Sequence, residues 1–168
     1  LYDYSYGLGY PALAVPAILV SIDEDPFLPV DAVAFSAIAC MIVVLGARLR
    51  SVPFGVLAAT ATTFATPLLD FTVVPWNTTV TTVAILAALL VATDQRARPV
   101  VHAVALGLAV GVTFAARYGD FVAPAIIGAV GLLGRQRYRS PAAWRTLGGA
   151  ALISLAIAIP VLWSHDAV

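Results

Sequence analysis

Lysine is absent from this 168-residue chain, charged residues of every kind make up only 11% of it, and cysteine and methionine occur once each. Each scarcity excludes something. An ordinary soluble domain carries about a quarter charged residues, so a chain that is 61% hydrophobic cannot hide its apolar surface inside a water-soluble fold of this size. A formal net charge of zero leaves no basic surface for nucleic acid, and the lack of lysine leaves no polybasic tether for anionic lipid. The lone Cys40 lies inside an apolar run and cannot form an internal disulfide. It reads as a small core or lipid-facing residue and carries no information on redox compartment. Missing as well are a phosphate-cradling loop of the Walker type, a catalytic triad, a haem motif and a Cys/His zinc pattern, which removes soluble-enzyme chemistry.

What fills the chain instead is a series of uncharged runs, between Arg50 and Asp70, Asp70 and Asp94, Arg98 and Arg117, and Arg145 and Asp166. Each is near the ~20 residues needed to cross a bilayer, so the reading is an integral membrane protein. Spans are expected at about 30–47, 53–69, 79–93, 99–116, 121–134 and 146–163. Residues 4–22 are apolar but interrupted by Gly7, Gly9, Pro11 and Pro16, flanked by acids at both ends and rich in tyrosine. That pattern suits a helix lying along the interface or re-entering it. The expected fold class is all-α: a polytopic membrane helix bundle of about six transmembrane helices plus one N-terminal interfacial or re-entrant helix, forming a single transmembrane domain over 1–168.

The few charges are highly ordered. Arg48 and Arg50, then Arg96 and Arg98, then Arg135, Arg137, Arg139 and Arg145 occupy alternate loops, which places them on one side of the membrane. By the positive-inside rule that side is the cytoplasm. The same assignment puts Asp3, Asp23, Glu24, Asp25, Asp31, Asp70, Asp120 and Asp166 outside and only Asp94 inside. Eight of nine acids lie opposite eight of nine arginines; the exception among the arginines is Arg117, which closes the apolar run from Val100 beside Tyr118 and Asp120.

Arg117 therefore needs an explanation. One is a side chain that snorkels to headgroup phosphates; the other is a planar donor fork that, with Tyr118, holds the phosphate of a lipid-linked substrate. Asp120, three residues on, either pairs with Arg117 or points at a separate ligand. Asp70 and Asp120 both lie at external helix ends and are the candidate catalytic carboxylates, Asp70 being equally a solvated cap on a membrane loop. His165 and Asp166 offer ligands for a divalent metal together with Asp70 or Asp120, without a spacing motif to support it. His102 reads as a buried or interfacial polar residue, and the sequon Asn77–Thr79 lies too close to the membrane to accept a glycan. Gly107 and Gly111 form a G-x-x-x-G pair, and Gly148 and Gly149 lie on the last span; both patterns argue for close helix packing. Thr60, Thr62, Thr63 and Thr66 are expected to bond backbone carbonyls within their own helix.

Three stretches together resemble one family, the GT-C membrane glycosyltransferases, in particular the protein O-mannosyltransferases and aminoarabinose-lipid transferases. YGLGYPALAVPA at 6–17 is similar to the segment that precedes an apolar helix in the family's first external loop. AVALGLAVGVTFAARYGDFVAPAII at 103–127 looks like the helix pair in which a Gly-rich span ends in Arg-Tyr and a second helix follows at once. VPWNTTVTTVAILAALLVA resembles the loop and helix that often carry a glutamate at the place of Asn77. The resemblance implies transfer of a sugar from a polyprenyl-phosphate-linked donor to an extracytoplasmic acceptor, in the plasma membrane, with Arg117 on the phosphate and a carboxylate or divalent metal assisting. It also implies a catalytic acid upstream of Leu1, since the family's first span and C-terminal region have no counterpart in 1–168. A small-solute transporter and a non-catalytic membrane scaffold are the alternatives.

Overall fold

The computed structural model describes residues 9–20, 26–65, 78–94, 98–134 and 141–166. Seven helices run through them: α1 (Gly9–Leu19), α2 (Leu28–Leu49), α3 (Val52–Ala65), α4 (Thr78–Thr93), α5 (Pro99–Ala116), α6 (Val122–Leu133) and α7 (Pro141–Asp166). No strand occurs among the described residues. Each expected span falls on one of α2 to α7, and α1 lies within the expected interfacial segment. Three stretches, Leu28–Leu49, Pro99–Ala116 and Ala143–Trp163, are long and apolar enough to cross a bilayer. At 1.5 Å per residue, 18 to 22 residues reach about 27–33 Å, against a hydrocarbon core of about 30 Å. The remaining three are apolar but shorter, at 14, 16 and 12 residues for α3, α4 and α6.

Local chemistry sets the helix ends. Proline near the start of α2 and of α5 occupies positions whose N–H has no helical partner anyway. Ser51 separates α2 from α3, and its hydroxyl accepts the Phe54 N–H at 3.3 Å, capping the second helix. The reversal is tight because Gly46 and Gly55 meet there: a side chain on Gly46 would collide with the Gly55 Cα, and one on Gly55 with the Val43 carbonyl.

From α2 to α7, successive helices alternate in direction. α2 and α4 run parallel, since Asp31 meets Thr79 near their starts and Arg48 reaches Leu90 and Asp94 near the end of α4. α5 runs against them, its last residues packing with Val80 at the start of α4. α7 runs with α5: Gly107 lies against Ala150 and Ile153, and Gly111, one turn later, against Ser154 and Ile157. The core is made of small and medium residues, Ala88, Val91, Leu106, Leu132 and Ala150, with Gly128 against Leu106 and Gly131 against Ala92. Packing of this kind depends on close backbone approach, as expected where lipid offers no hydrophobic contrast. Of the two glycine patterns, Gly107 and Gly111 serve it; a Cβ on Gly148 would meet nothing within 4 Å, and one on Gly149 would lie 3.3 Å from the Ala103 Cβ.

The alternation gathers the described charges at opposite ends. Arg48, Arg50, Arg98 and Arg145 lie at one end with Asp94, and Asp31, Arg117 and Asp120 lie at the other. Arg48 donates to the Leu90 carbonyl at 2.9 Å and lies 3.4 Å from Asp94, covering the C-terminus of α4 with a cation. Hydroxyls within helices are satisfied on carbonyls four residues back, as at Ser36, Thr82, Thr93 and Ser154.

Candidate functional site

The acidic end is built where the first turns of α2 and α4 meet the corner between α5 and α6. α5 stops because Arg117 leaves helical geometry at φ −158° and ψ 110°, its N–H still bonded to the Thr113 carbonyl at 2.8 Å. The chain then turns within three residues, with the Asp120 N–H on the Arg117 carbonyl at 3.1 Å. This turn brings the two side chains together, Arg117 Nη1 lying 3.6 Å from Asp120 Oδ2. Of the two alternatives left open by the sequence, Asp120 pairs with Arg117.

The first turn of α4 ties this corner to α2. Thr79 and Thr81, two positions apart, project from nearly opposite sides of the helix. The Thr79 hydroxyl donates to Asp31 Oδ1 at 2.7 Å, and the Thr81 hydroxyl donates to Asp120 Oδ2 at 3.2 Å. One helical turn thus holds a carboxylate on each flank. Asp31 is 1% exposed and Thr79 likewise 1%. A charge-bearing group so deeply enclosed requires hydrogen bonds to offset its lost hydration, and the Thr79 hydroxyl supplies one. Beneath the polar layer, Val80 and Ala116 pack with Phe27, Val30 and Val112.

Tyr118 is held by aromatic packing. Its ring meets Phe114 edge-on at 5.3 Å, and Phe114 meets Phe121 in the same manner at 5.5 Å. The three rings brace the α5–α6 corner, a geometry such pairs favour.

An apolar groove of about 590 Å³ leads away from this end, between α1, α2 and α4. Leu13, Pro16 and Val20 form one wall, Val33 and Ala37 the second, and Val83 the third. Its upper lining includes Pro29, Val30 and Val80, the neighbours in sequence of Asp31, Thr79 and Thr81. The volume falls in the range of small-molecule sites, about 300–1,000 Å³.

No protein-family model, curated protein or solved structure matches the chain.

Asp70 lies outside the described residues, and with it any approach to Asp120. His165 and Asp166 end α7, and their side chains are likewise not described. Among the described residues, no group of three His, Cys, Asp or Glu side chains is placed to hold a metal ion. His102, as expected, is buried, in the first turn of α5. The buried hydroxyl of Thr79, bonded to Asp31, accounts for the third position of the Asn77–Thr79 sequon in structural terms.

Asp31 and the two α4 threonines are the residues that reading the sequence did not single out. A signal for Asp31 was present: it lies in the first turn of the 22-residue apolar helix that opens at Leu28, inside a membrane-length segment and not between two of them. Thr79 and Thr81 had none, because the chain is rich in threonine and their significance comes entirely from partners 48 and 39 residues away.

Proposed function

We propose that this chain forms the membrane core of a GT-C-type glycosyltransferase that moves a sugar from a polyprenyl-phosphate-linked donor to an extracytoplasmic acceptor. In this reading α2 to α7 cross the plasma membrane six times, with α1 along the outer interface and the arginine-rich end in the cytoplasm. The shorter α3, α4 and α6 are accommodated by local thinning and by packing within the bundle.

The observation that carries the reading is an apolar groove whose lining residues Pro29, Val30 and Val80 adjoin Asp31, Thr79 and Thr81 in sequence, at the end of the bundle that also holds Arg117. A prenyl chain needs an apolar channel open to the bilayer, and its phosphate needs a guanidinium where that channel ends. The groove between α1, α2 and α4 supplies the first, and Arg117, with a side chain 49% exposed, the second. A guanidinium suits this task because its donors match phosphate oxygens in pairs. Tyr118, its ring braced by Phe114 and its hydroxyl buried, supports the corner that carries Arg117 and does not present its own hydroxyl to the phosphate. Asp120 and Asp70 are the candidate acids that orient or deprotonate the acceptor.

The decisive experiment is transfer of sugar from a polyprenyl-phosphate donor by the full-length protein in membranes, comparing wild type with Arg117→Ala at matched expression. Loss of transfer with normal protein level supports the phosphate role, and unchanged transfer removes it. A second reading, a small-solute carrier, draws on the buried Asp31–Thr79 pair, since carboxylates inside membrane helices commonly bind coupling ions. It requires substrate flux that depends on Asp31 and not on Arg117.

A further inference from the structure

The groove between α1, α2 and α4 is shallow and wholly aliphatic. Along α2 its lining begins at Pro29 and ends at Ala37, eight residues on, which is about 12 Å at 1.5 Å per residue. On α4 it goes no deeper than Val83, in the second turn from the acidic end. Half the hydrocarbon core is about 15 Å, so the groove stays within the outer leaflet. Ile38 and Ala84, the next residues in sequence, are buried. Every lining side chain is a leucine, valine, alanine or proline, so none can hydrogen-bond a sugar or a soluble solute.

Depth alone does not choose among hydrocarbon tails. Bilayer tails are as apolar as the groove, so a tail that moves from lipid into it gains little from burial and is selected by shape. The α2 wall has a shape to offer. Ala34 and Ala37 stand among the larger Val30 and Val33, and the two small side chains, three positions apart, leave recesses about 4.5 Å apart along the helix axis. A prenyl chain carries a methyl branch at every fourth backbone carbon, about 4–5 Å when extended, from carbon–carbon bonds of about 1.5 Å. Its branches recur at the spacing of the recesses. A straight acyl chain has no branches, leaves both recesses unfilled and forfeits the dispersion contacts there.

We propose that this groove recognises the two or three isoprene units next to the phosphate, seating their methyl branches against Ala34 and Ala37, and releases the rest of the tail to the bilayer. The proposal rests on the prenyl-phosphate reading above and adds which part of the donor the protein reads. The site then distinguishes a prenyl tail from a fatty-acyl tail and is indifferent to prenyl length beyond the third unit. One methylene in an apolar pocket is worth about tenfold or more against water. Against bilayer hydrocarbon the difference is smaller, about fivefold for the branches together.

The test uses the full-length protein in phosphatidylcholine nanodiscs, titrated with three phosphates compared at equal mole fraction in the bilayer, so that their unequal partitioning from water cancels. They are farnesyl phosphate, with three isoprene units, a prenyl phosphate several times longer, and n-dodecyl phosphate, whose unbranched chain matches the farnesyl backbone in length. Wild type is expected to bind the two prenyl phosphates within about twofold of each other and about fivefold more tightly than the dodecyl probe. Ala37→Leu, which fills a recess, and Val83→Phe, which narrows the groove from the α4 wall, should each weaken the prenyl probes toward the dodecyl level, whereas Ala37→Ser, of nearly the same size, should retain the preference. Equal binding of farnesyl and dodecyl phosphates, as for a groove filled by ordinary phospholipid tails, overturns the tail recognition. So does markedly tighter binding of the longer prenyl phosphate, or a preference that survives both Ala37→Leu and Val83→Phe; if Arg117→Ala still weakens all three probes, the phosphate site stands without it. If Arg117→Ala alters none of them, or wild type binds none, the prenyl-phosphate reading fails and this inference with it.

Discussion

Substitution of Gly107 by alanine tests whether α7 is held to the bundle by close backbone approach. α7 packs mainly on α5 and touches α6 only slightly, so this one interface carries its attachment. A Cβ on Gly107 would lie 2.7 Å from the Ile153 Cβ and 2.8 Å from the Ala150 carbonyl oxygen. Carbon atoms pack at about 3.5–4.0 Å, so the helices must separate by roughly 1 Å. The carbonyl belongs to a helix backbone and cannot turn aside. Overpacking of this kind costs about 1–3 kcal/mol, against a gain of about 0.8–1 kcal/mol from replacing glycine within a helix. The net loss is then about 1 kcal/mol, and about twice that for Gly107→Ala with Gly111→Ala. Gly148→Ala is the control: nothing lies within 4 Å of its Cβ position, so the propensity gain alone should remain. The two single variants should therefore differ by about 2 kcal/mol, with opposite signs. The assay is unfolding in mixed micelles with rising denaturing detergent, followed by tryptophan emission, since Trp144 and Trp163 both lie on α7. Equal stability of Gly107→Ala and Gly148→Ala would refute the packing argument.

Two further outcomes bear on the acidic end. Thr79→Val should destabilise the protein by about 1–2 kcal/mol in the same assay, between the ~0.6 kcal/mol average for interhelical bonds in membranes and the ~3 kcal/mol upper range for bonds to charged groups; Thr79→Ser should restore it, and a null effect would mean that Asp31 does not depend on this donor. Cysteines placed singly at Asp120 and Arg98 in a variant lacking Cys40 should react with an impermeant thiol reagent from opposite faces of the membrane, Asp120 from outside. Labelling of both from one face would contradict the alternating directions of the helices.

Why some of this was readable in one dimension and some was not follows from the range of the interactions. The helices were legible because apolar length is a local property: a run from Val100 to Ala116 bounded by Arg98 and Arg117 needs no partner to identify it. The prominence of Arg117 was legible too, since counting charges by alternate loops isolates it. Its partner was not, because a carboxylate three residues beyond a helix end reaches back only if the chain turns, and the turn depends on how α6 leaves α5. The expected length ran ahead of the structure at α6, 14 residues against 12, and matched it closely at α4, 15 against 16.

By itself, then, the sequence determined an all-helical apolar chain and the segregation of its charges, because both depend on composition over stretches of helix length. Tertiary structure alone decided that α4 stands between α2 and the α5–α6 corner, and so that Thr79 meets Asp31 and Thr81 meets Asp120. The physical reason is that helix neighbours are chosen by where small residues permit backbones to approach, as at Gly131 on Ala92, Gly128 on Leu106 and Gly107 on Ile153. Those approaches set which polar groups face one another at the helix ends, and no local pattern records the choice.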